Sequence, residues 1–265
     1  MYNFFINFIP PFFHLWHLPV IFLAGIIAEG YAVVLGGGGI LIQFALLFLG
    51  IPLPTVIATD IAGCLGSSVG AVSASPKSIW GNKKLIILLG LPFLIGGIIG
   101  TIFLTKISAT LLSYLLIIAL SLLVIHILVS KNKAPRNLEE MRINGKQYPL
   151  IGSIMLGLGL YANVSGVGAG TFQKIAYSSL LRMKVVEGIG ITNIIYVPTT
   201  IFSIIMTALA GLLAWPYVLT LWVGTFIGAH FVTKHVQKIP EEYLRKLLVV
   251  LAFLYLCYLV WSLLK

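Results

Sequence analysis

Residues 32–43 read Ala-Val-Val-Leu-Gly-Gly-Gly-Gly-Ile-Leu-Ile-Gln, and residues 163–174 read Asn-Val-Ser-Gly-Val-Gly-Ala-Gly-Thr-Phe-Gln-Lys. Both stretches lie in strongly apolar surroundings. A helical glycine costs about 1 kcal/mol relative to alanine, so glycines in this density break a helix. Unwound backbone inside a bilayer is tolerated only where protein buries it or where it lines a cavity. These two breaks therefore predict two interrupted membrane helices.

The rest of the chain agrees with a membrane setting. Its 265 residues are 59% hydrophobic and 9% charged, with a mean hydropathy of +1.06. Soluble domains carry about 25% charge, which excludes a soluble globule, a coiled coil or a disordered chain. The apolar runs are too long for alternating barrel strands. The fold class is all-α, polytopic in a cell (inner or plasma) membrane, with the lipid bilayer as solvent. The net charge of +10 reads as lysine and arginine gathered in cytoplasmic loops, not as a nucleic-acid surface. Cys64 and Cys257 each lie in an apolar segment and offer neither a disulfide framework nor a zinc site. No metal or cofactor motif is present. Residues 1–18 contain no Lys or Arg and lack the basic start of a signal peptide.

A polar stretch, 131–148, divides the chain into a first membrane unit (19–130) and a second (149–265). Apolar segments fall near 19–35, 40–50, 53–75, 84–104 and 108–130, and again near 149–164, 171–181, 186–210, 215–235 and 243–264. Each half opens with a glycine-separated pair, predicted as two half-helices too short to span alone. The same signposts then recur in order. Gln43 matches Gln173, although a slip of one residue pairs Gln43 with Lys174. Ala58-Thr59-Asp60 matches Ile191-Thr192-Asn193, and Ser67 matches Thr200. Gly96, Gly100, Thr105 and Lys106 match Gly224, Gly228, Thr233 and Lys234. A duplicated unit is the reading.

Loop charge sets the orientation. If each broken pair counts as one crossing, nine basic residues fall on one side and seven on the other. If each pair goes in and comes back, fourteen fall on one side, against Lys106 and Lys265 on the other. The second arrangement fits the positive-inside rule. It predicts inverted repeats, both termini outside and a cytoplasmic 131–148 loop, a plan that recurs among secondary transporters.

The chemistry follows from the breaks. The first amides of a helix lack internal partners and carry partial positive charge. Two short helices beginning near Ile40 and Thr171, aimed at one midplane point, suit an anion. The candidate substrate-binding residues are Gly37, Gly38, Gly39, Gln43, Thr59, Asp60, Gly168, Gly170, Thr171, Gln173, Lys174, Thr192 and Asn193. Close packing of helices explains the same glycines as well. Asp60 is the sharpest, because an ionisable group in a span is costly and usually functional. It reads as a protonatable coupling residue, as the partner of Lys174, or as a cap near its helix start. Glu29 sits within a first-half segment and needs a cation. His230 reads as a hydrogen bond across packed helices. Gly96-xxx-Gly100 and Gly224-xxx-Gly228 read as tight helix contacts, which could also serve a homodimer.

The paired pattern of glycine break, Ala-Thr-Asp or Ile-Thr-Asn, and a later Gly-xxx-Gly near Thr-Lys resembles the sulfite exporter TauE/SafE family over about residues 20–264. The resemblance implies export of a small organosulfur anion, sulfite or a sulfonate, with the breaks and the Thr59-Asp60 and Thr192-Asn193 pairs lining the pathway. The family pattern has Thr-Ser at those pairs, and an apolar Val-Pro where this chain carries Gln43-Phe44 and Lys174-Ile175.

Three functional classes follow. The first is a secondary transporter of a small anion by alternating access, the second an anion channel of the same architecture. The third, a membrane-embedded enzyme, lacks a nucleophile–base pair. Ser165 and His230 are the nearest approach to one, and the glycine that opens the rhomboid Gly-x-Ser-Gly is missing. No ATPase motif occurs, so a transporter would draw on a gradient.

Overall fold

The computed structural model describes residues 10–76, 79–80, 82–129, 147–177, 181, 183, 185–235, 250 and 253–261. The described residues are overwhelmingly helical. In chain order the helices are α1 His17–Leu35, α2 Gly38–Phe48, α3 Leu53–Ala74, α4 Lys83–Leu104 and α5 Ala109–Val129. They continue with α6 Tyr148–Ser165, α7 Ala169–Ala176, α8 Val185–Leu209 and α9 Trp215–His235. Residues 253–261 form a further helical stretch, α10. Residues 131–146, which make up nearly all of the expected linker, and residues 1–9 lie outside the described residues.

Among the described residues, five helices are long and apolar enough to cross a membrane: Leu53–Ala74, Lys83–Leu104, Tyr148–Ser165, Glu187–Leu209 and Trp215–His235. Their outward faces are apolar. On α4, Ile87, Leu91, Ile95 and Ile99 are all exposed at four-residue steps. In water such a stripe would be an aggregation surface; against acyl chains it is the solvated face. Polar groups go inward instead, including Gln43, Asp60, Thr101, Asn163, Gln173 and Ser203.

The breaks are shorter than the sequence implies. α1 has 19 residues and α6 has 18, so the first member of each pair is a full-length helix. Only α2, with 11 residues, and α7, with 8, are short. The turn in the first half is confined to Gly36 and Gly37, both at φ 81°, a left-handed region that a side chain disfavours. Gly38 and Gly39 already belong to the first turn of α2.

Small residues set the helix contacts. A methyl group on Gly96 or Gly100 would strike the carbonyl oxygens of Leu156 and Leu160 on α6. One on Gly224 or Gly228 would strike those of Phe22 and Ile26 on α1. Each Gly-xxx-Gly face of one half is therefore filled by the opening helix of the other half. α3 packs against both α8 and α9, and α4 packs against α8. The α3–α9 contact is tied by Trp222 Nε1 to the Ala62 carbonyl (2.8 Å) and by Thr225 Oγ1 to the Gly63 carbonyl (3.0 Å). It is also tied by Ser73 Oγ, 2.8 Å from His230 Nδ1, which gives His230 the interhelical role expected of it.

Candidate functional site

The two breaks meet. A methyl group on Gly36 would land on the Thr171 amide and the Gly170 carbonyl carbon. One on Gly39 would fall 2.5 Å from Asp60 Oδ2 and 2.8 Å from the Gly166 carbonyl oxygen. The contact is reciprocal: the turn of each half touches the first turn of the short helix of the other. Backbone fills the space between Gly36 and Gly170, so close approach explains these glycines directly.

A tyrosine fixes each turn. Tyr31 donates its hydroxyl to the Gly37 carbonyl at 3.0 Å, and Tyr161 donates to the Val167 carbonyl at 2.6 Å. Both reach six residues along the chain. Unpaired carbonyls are costly in a bilayer. The Tyr161 phenol serves the Val167 carbonyl, while the Gly37 carbonyl takes the Ile40 amide (3.0 Å) as well as the Tyr31 phenol.

The short helices reach across in the same way. From its N-cap, Gly37, α2 carries Gln43 at the sixth position; from its N-cap, Gly168, α7 carries Lys174 at the sixth. The slipped register, pairing Gln43 with Lys174, is thus the structural one. Gln43 Nε2 donates to the Ser165 carbonyl (2.8 Å) at the end of α6. Lys174 Nζ donates to the Ala32 (2.6 Å) and Val33 (2.5 Å) carbonyls at the end of α1. The last four carbonyls of a helix have no internal partner, and each short helix supplies one for the other half.

Gln43 is fully enclosed. Its amide also donates to Asp60 Oδ2 (2.7 Å), and its carbonyl accepts from Tyr255 of α10 (2.8 Å). Asp60 is 1% exposed, and its second oxygen, Oδ1, has no partner. Glu29 joins this region: its Oε1 would lie 2.7 Å from a methyl group on Gly38. Lys174 and Asp60 lie within electrostatic reach of it. The cation whose charge acts on Glu29 is Lys174, whose ammonium group itself bonds the end of α1.

The two short-helix N-termini differ electrically. That of α2 is faced by two carboxyl groups, Glu29 beside Gly38 and Asp60 beside Gly39. That of α7 has the Thr171 hydroxyl, buried without a partner, and Lys174 lies at the other end of the helix, in its last turn. Gln173 Nε2 donates to the Tyr177 hydroxyl (2.7 Å), leaving its buried Oε1 unpaired. Thr192 lies beside the same phenol, and its hydroxyl is also unpaired.

Two expected residues sit apart from the breaks. Thr59 Oγ1 accepts from the Ala214 amide (3.2 Å), just before α9. Asn193 Nδ2 donates back to the Ile189 carbonyl of its own helix (2.9 Å). The sequence reading left out Tyr31, Tyr177 and Tyr255, and it did not count Glu29 among the binding residues. For Tyr31 the signal was there, since a tyrosine precedes the break by the same spacing in each half.

A serine–histidine dyad is not assembled from Ser165 and His230. Ser165 Oγ donates to the Tyr161 carbonyl (3.0 Å), while His230 is paired with Ser73.

The family model described as "Sulfite exporter TauE/SafE" matches residues 21–259. The chain belongs to the TauE/SafE family. Its relatives carry matching names. The Bacillus subtilis probable membrane transporter protein YdhB is 24% identical over 232 residues, 85% of this chain and 91% of that protein. A Haemophilus influenzae probable membrane transporter protein is 23% identical, covering 89% and 92%. The Escherichia coli K12 probable membrane transporter protein YfcA is 22% identical, covering 89% and 86%. No solved structure matches. This TauE/SafE chain is a multi-pass membrane protein of a transporter family, and the relatives' names are those of transporters, not enzymes.

Proposed function

We propose that this TauE/SafE member is a secondary transporter that exports a small organosulfur anion, sulfite or a sulfonate. Two inverted repeats would alternate access around the paired breaks. The observation that carries this reading is the family match across residues 21–259. Inversion is supported by the reciprocal contacts of the breaks, of the Gly-xxx-Gly faces and of Gln43 with Lys174. The charge parity of the loops agrees with it.

The anion belongs at the α7 end. The α2 N-terminus already has carboxyl groups against it, and these repel an oxyanion. The α7 end offers helix amides and the unpaired hydroxyls of Thr171 and Thr192. Exchanging the oxygen and nitrogen of the Gln173 amide lets Tyr177 donate to it and frees an NH2 group for an oxyanion.

Proteoliposomes loaded with sulfite, sulfoacetate, taurine, sulfate or dicarboxylates test the reading by efflux at fixed sodium and pH. Saturable efflux of sulfite or a sulfonate is expected. In detergent the same solute should raise the unfolding temperature, since a ligand at a hundredfold excess over Kd stabilises by about 2.7 kcal/mol. Amino acids or other zwitterions acting in place of every anion would overturn it. Single-channel currents with unsaturable flux would favour the channel.

A further inference from the structure

We infer that Asp60 and the end of helix α6 form a binding site for one monovalent cation, a proton or sodium, separate from the anion site. The inference goes beyond the anion reading and does not depend on it.

Three observations converge on one point beside Gly39. Asp60 Oδ2 and the Gly166 carbonyl oxygen both lie within 2.8 Å of where a methyl group on Gly39 would sit. Both are acceptors, and Gly166 terminates α6, the negative end of that helix dipole. Gln43 Nε2 donates to Asp60 Oδ2 and to Ser165 O, which spends both of its hydrogens. Asp60 Oδ1 is left buried with no donor at all. A carboxylate set against helix C-terminal carbonyls is how discontinuous membrane helices hold coupling cations. A proton on Asp60 would let it donate to a carbonyl; a sodium ion would bridge the oxygens.

Charge counting agrees. Among the described residues, the groups within electrostatic reach of Asp60 are Glu29 and Tyr31 of α1, Cys64 of its own helix and Tyr255 of α10. Lys174 of α7 acts on Glu29. With both carboxyl groups ionised and the phenols and thiol neutral, Glu29, Asp60 and Lys174 leave one net negative charge. One monovalent cation removes it. A divalent ion would overshoot.

The test uses the full-length protein in liposomes on a solid-supported membrane, with no organic anion or sulfite present. Two jumps are applied, choline to sodium at fixed pH and ionic strength, and neutral to acidic pH at fixed sodium. One of them should produce a transient charge displacement, and its identity names the cation. Asp60→Asn, which keeps an oxygen acceptor for Gln43, should abolish the displacement while eluting as a monodisperse protein. The untreated wild type provides a second readout that no folding defect can mimic. Carbodiimide labelling of Asp60, read by mass spectrometry, should be slowed by sodium if sodium binds, or should rise on acidification if a proton does. No displacement with either jump, a displacement that survives Asp60→Asn, or labelling indifferent to both ions overturns the proposal. Charge displacement without sulfite or sulfonate efflux sinks the anion reading alone; efflux without displacement sinks this one alone.

Discussion

Tyr31 donates its hydroxyl to the carbonyl of Gly37, six residues further on, at 3.0 Å. Tyr161 does the same for Val167. The Gly37 carbonyl also accepts from the Ile40 amide at 3.0 Å, so the Tyr31 phenol is its second donor. Tyr31→Phe keeps the ring and removes that second donor, and the expected loss is about 0.5–1.5 kcal/mol. Tyr161→Phe takes the donor from Val167 and should cost more, about 1–3 kcal/mol. Thermal unfolding in one detergent compares the two directly.

Gly39 is fixed by approach, and Gly36 by both approach and conformation. Gly36→Ala adds about 1–2 kcal/mol of left-handed backbone strain to its collision with Thr171. Gly39→Ala drives a methyl group into Asp60 and the Gly166 carbonyl. Both variants should lose monodisperse protein on size-exclusion chromatography. Gly157→Ala, with open space around it, should behave as wild type.

The Gly-xxx-Gly faces are occupied within the chain, by α6 and by α1. Gly100→Leu and Gly228→Leu should therefore impair folding and expression, with no selective loss of an oligomer. Chemical crosslinking of whatever protein remains folded should show the wild-type oligomeric state. A folded monomer obtained from a wild-type dimer would contradict this.

Lys174 serves two partners at once, the end of α1 and the charge of Glu29. Lys174→Met removes charge-assisted hydrogen bonds to Ala32 and Val33, and stability should fall by about 3 kcal/mol. Pairing it with Glu29→Gln should cost less than the sum of the single changes, because Glu29 no longer lacks its cation. A double-mutant cycle in urea or heat measures that coupling, and strict additivity would separate the two residues.

Charge parity predicts which side each loop faces. In a Cys64→Ser, Cys257→Ser background, Lys133→Cys should react with an impermeant maleimide only from the cytoplasmic side. Lys234→Cys should react only from that same side. Labelling of the two from opposite faces would return the chain to four crossings per half and remove the inversion.

How the breaks work shows where sequence reading stopped. Consecutive glycines in an apolar run announced a turn, because backbone propensity is a local property. They could not say that Gly36 and Gly37 alone make it, since α1 gains length from His17 and Leu18 at its other end. Nor could they separate a ligand site from close packing. That depends on what stands opposite, and opposite Gly36 stands the backbone of Gly170 and Thr171.

Composition, apolar run length and the repeated signposts by themselves determined the membrane class, the helical spans, the duplicated order and the Gly-xxx-Gly contacts. All of these are written in one dimension, in periodicity and in hydropathy. Tertiary structure alone decided that Gln43 answers to Lys174, that each caps a helix of the other half, and that carboxyl groups crowd α2 while unpaired hydroxyls lie by α7. The two caps rest on residues more than a hundred positions apart. Which carbonyl a side chain reaches there is set by how helices tilt and pack, and no local preference encodes it.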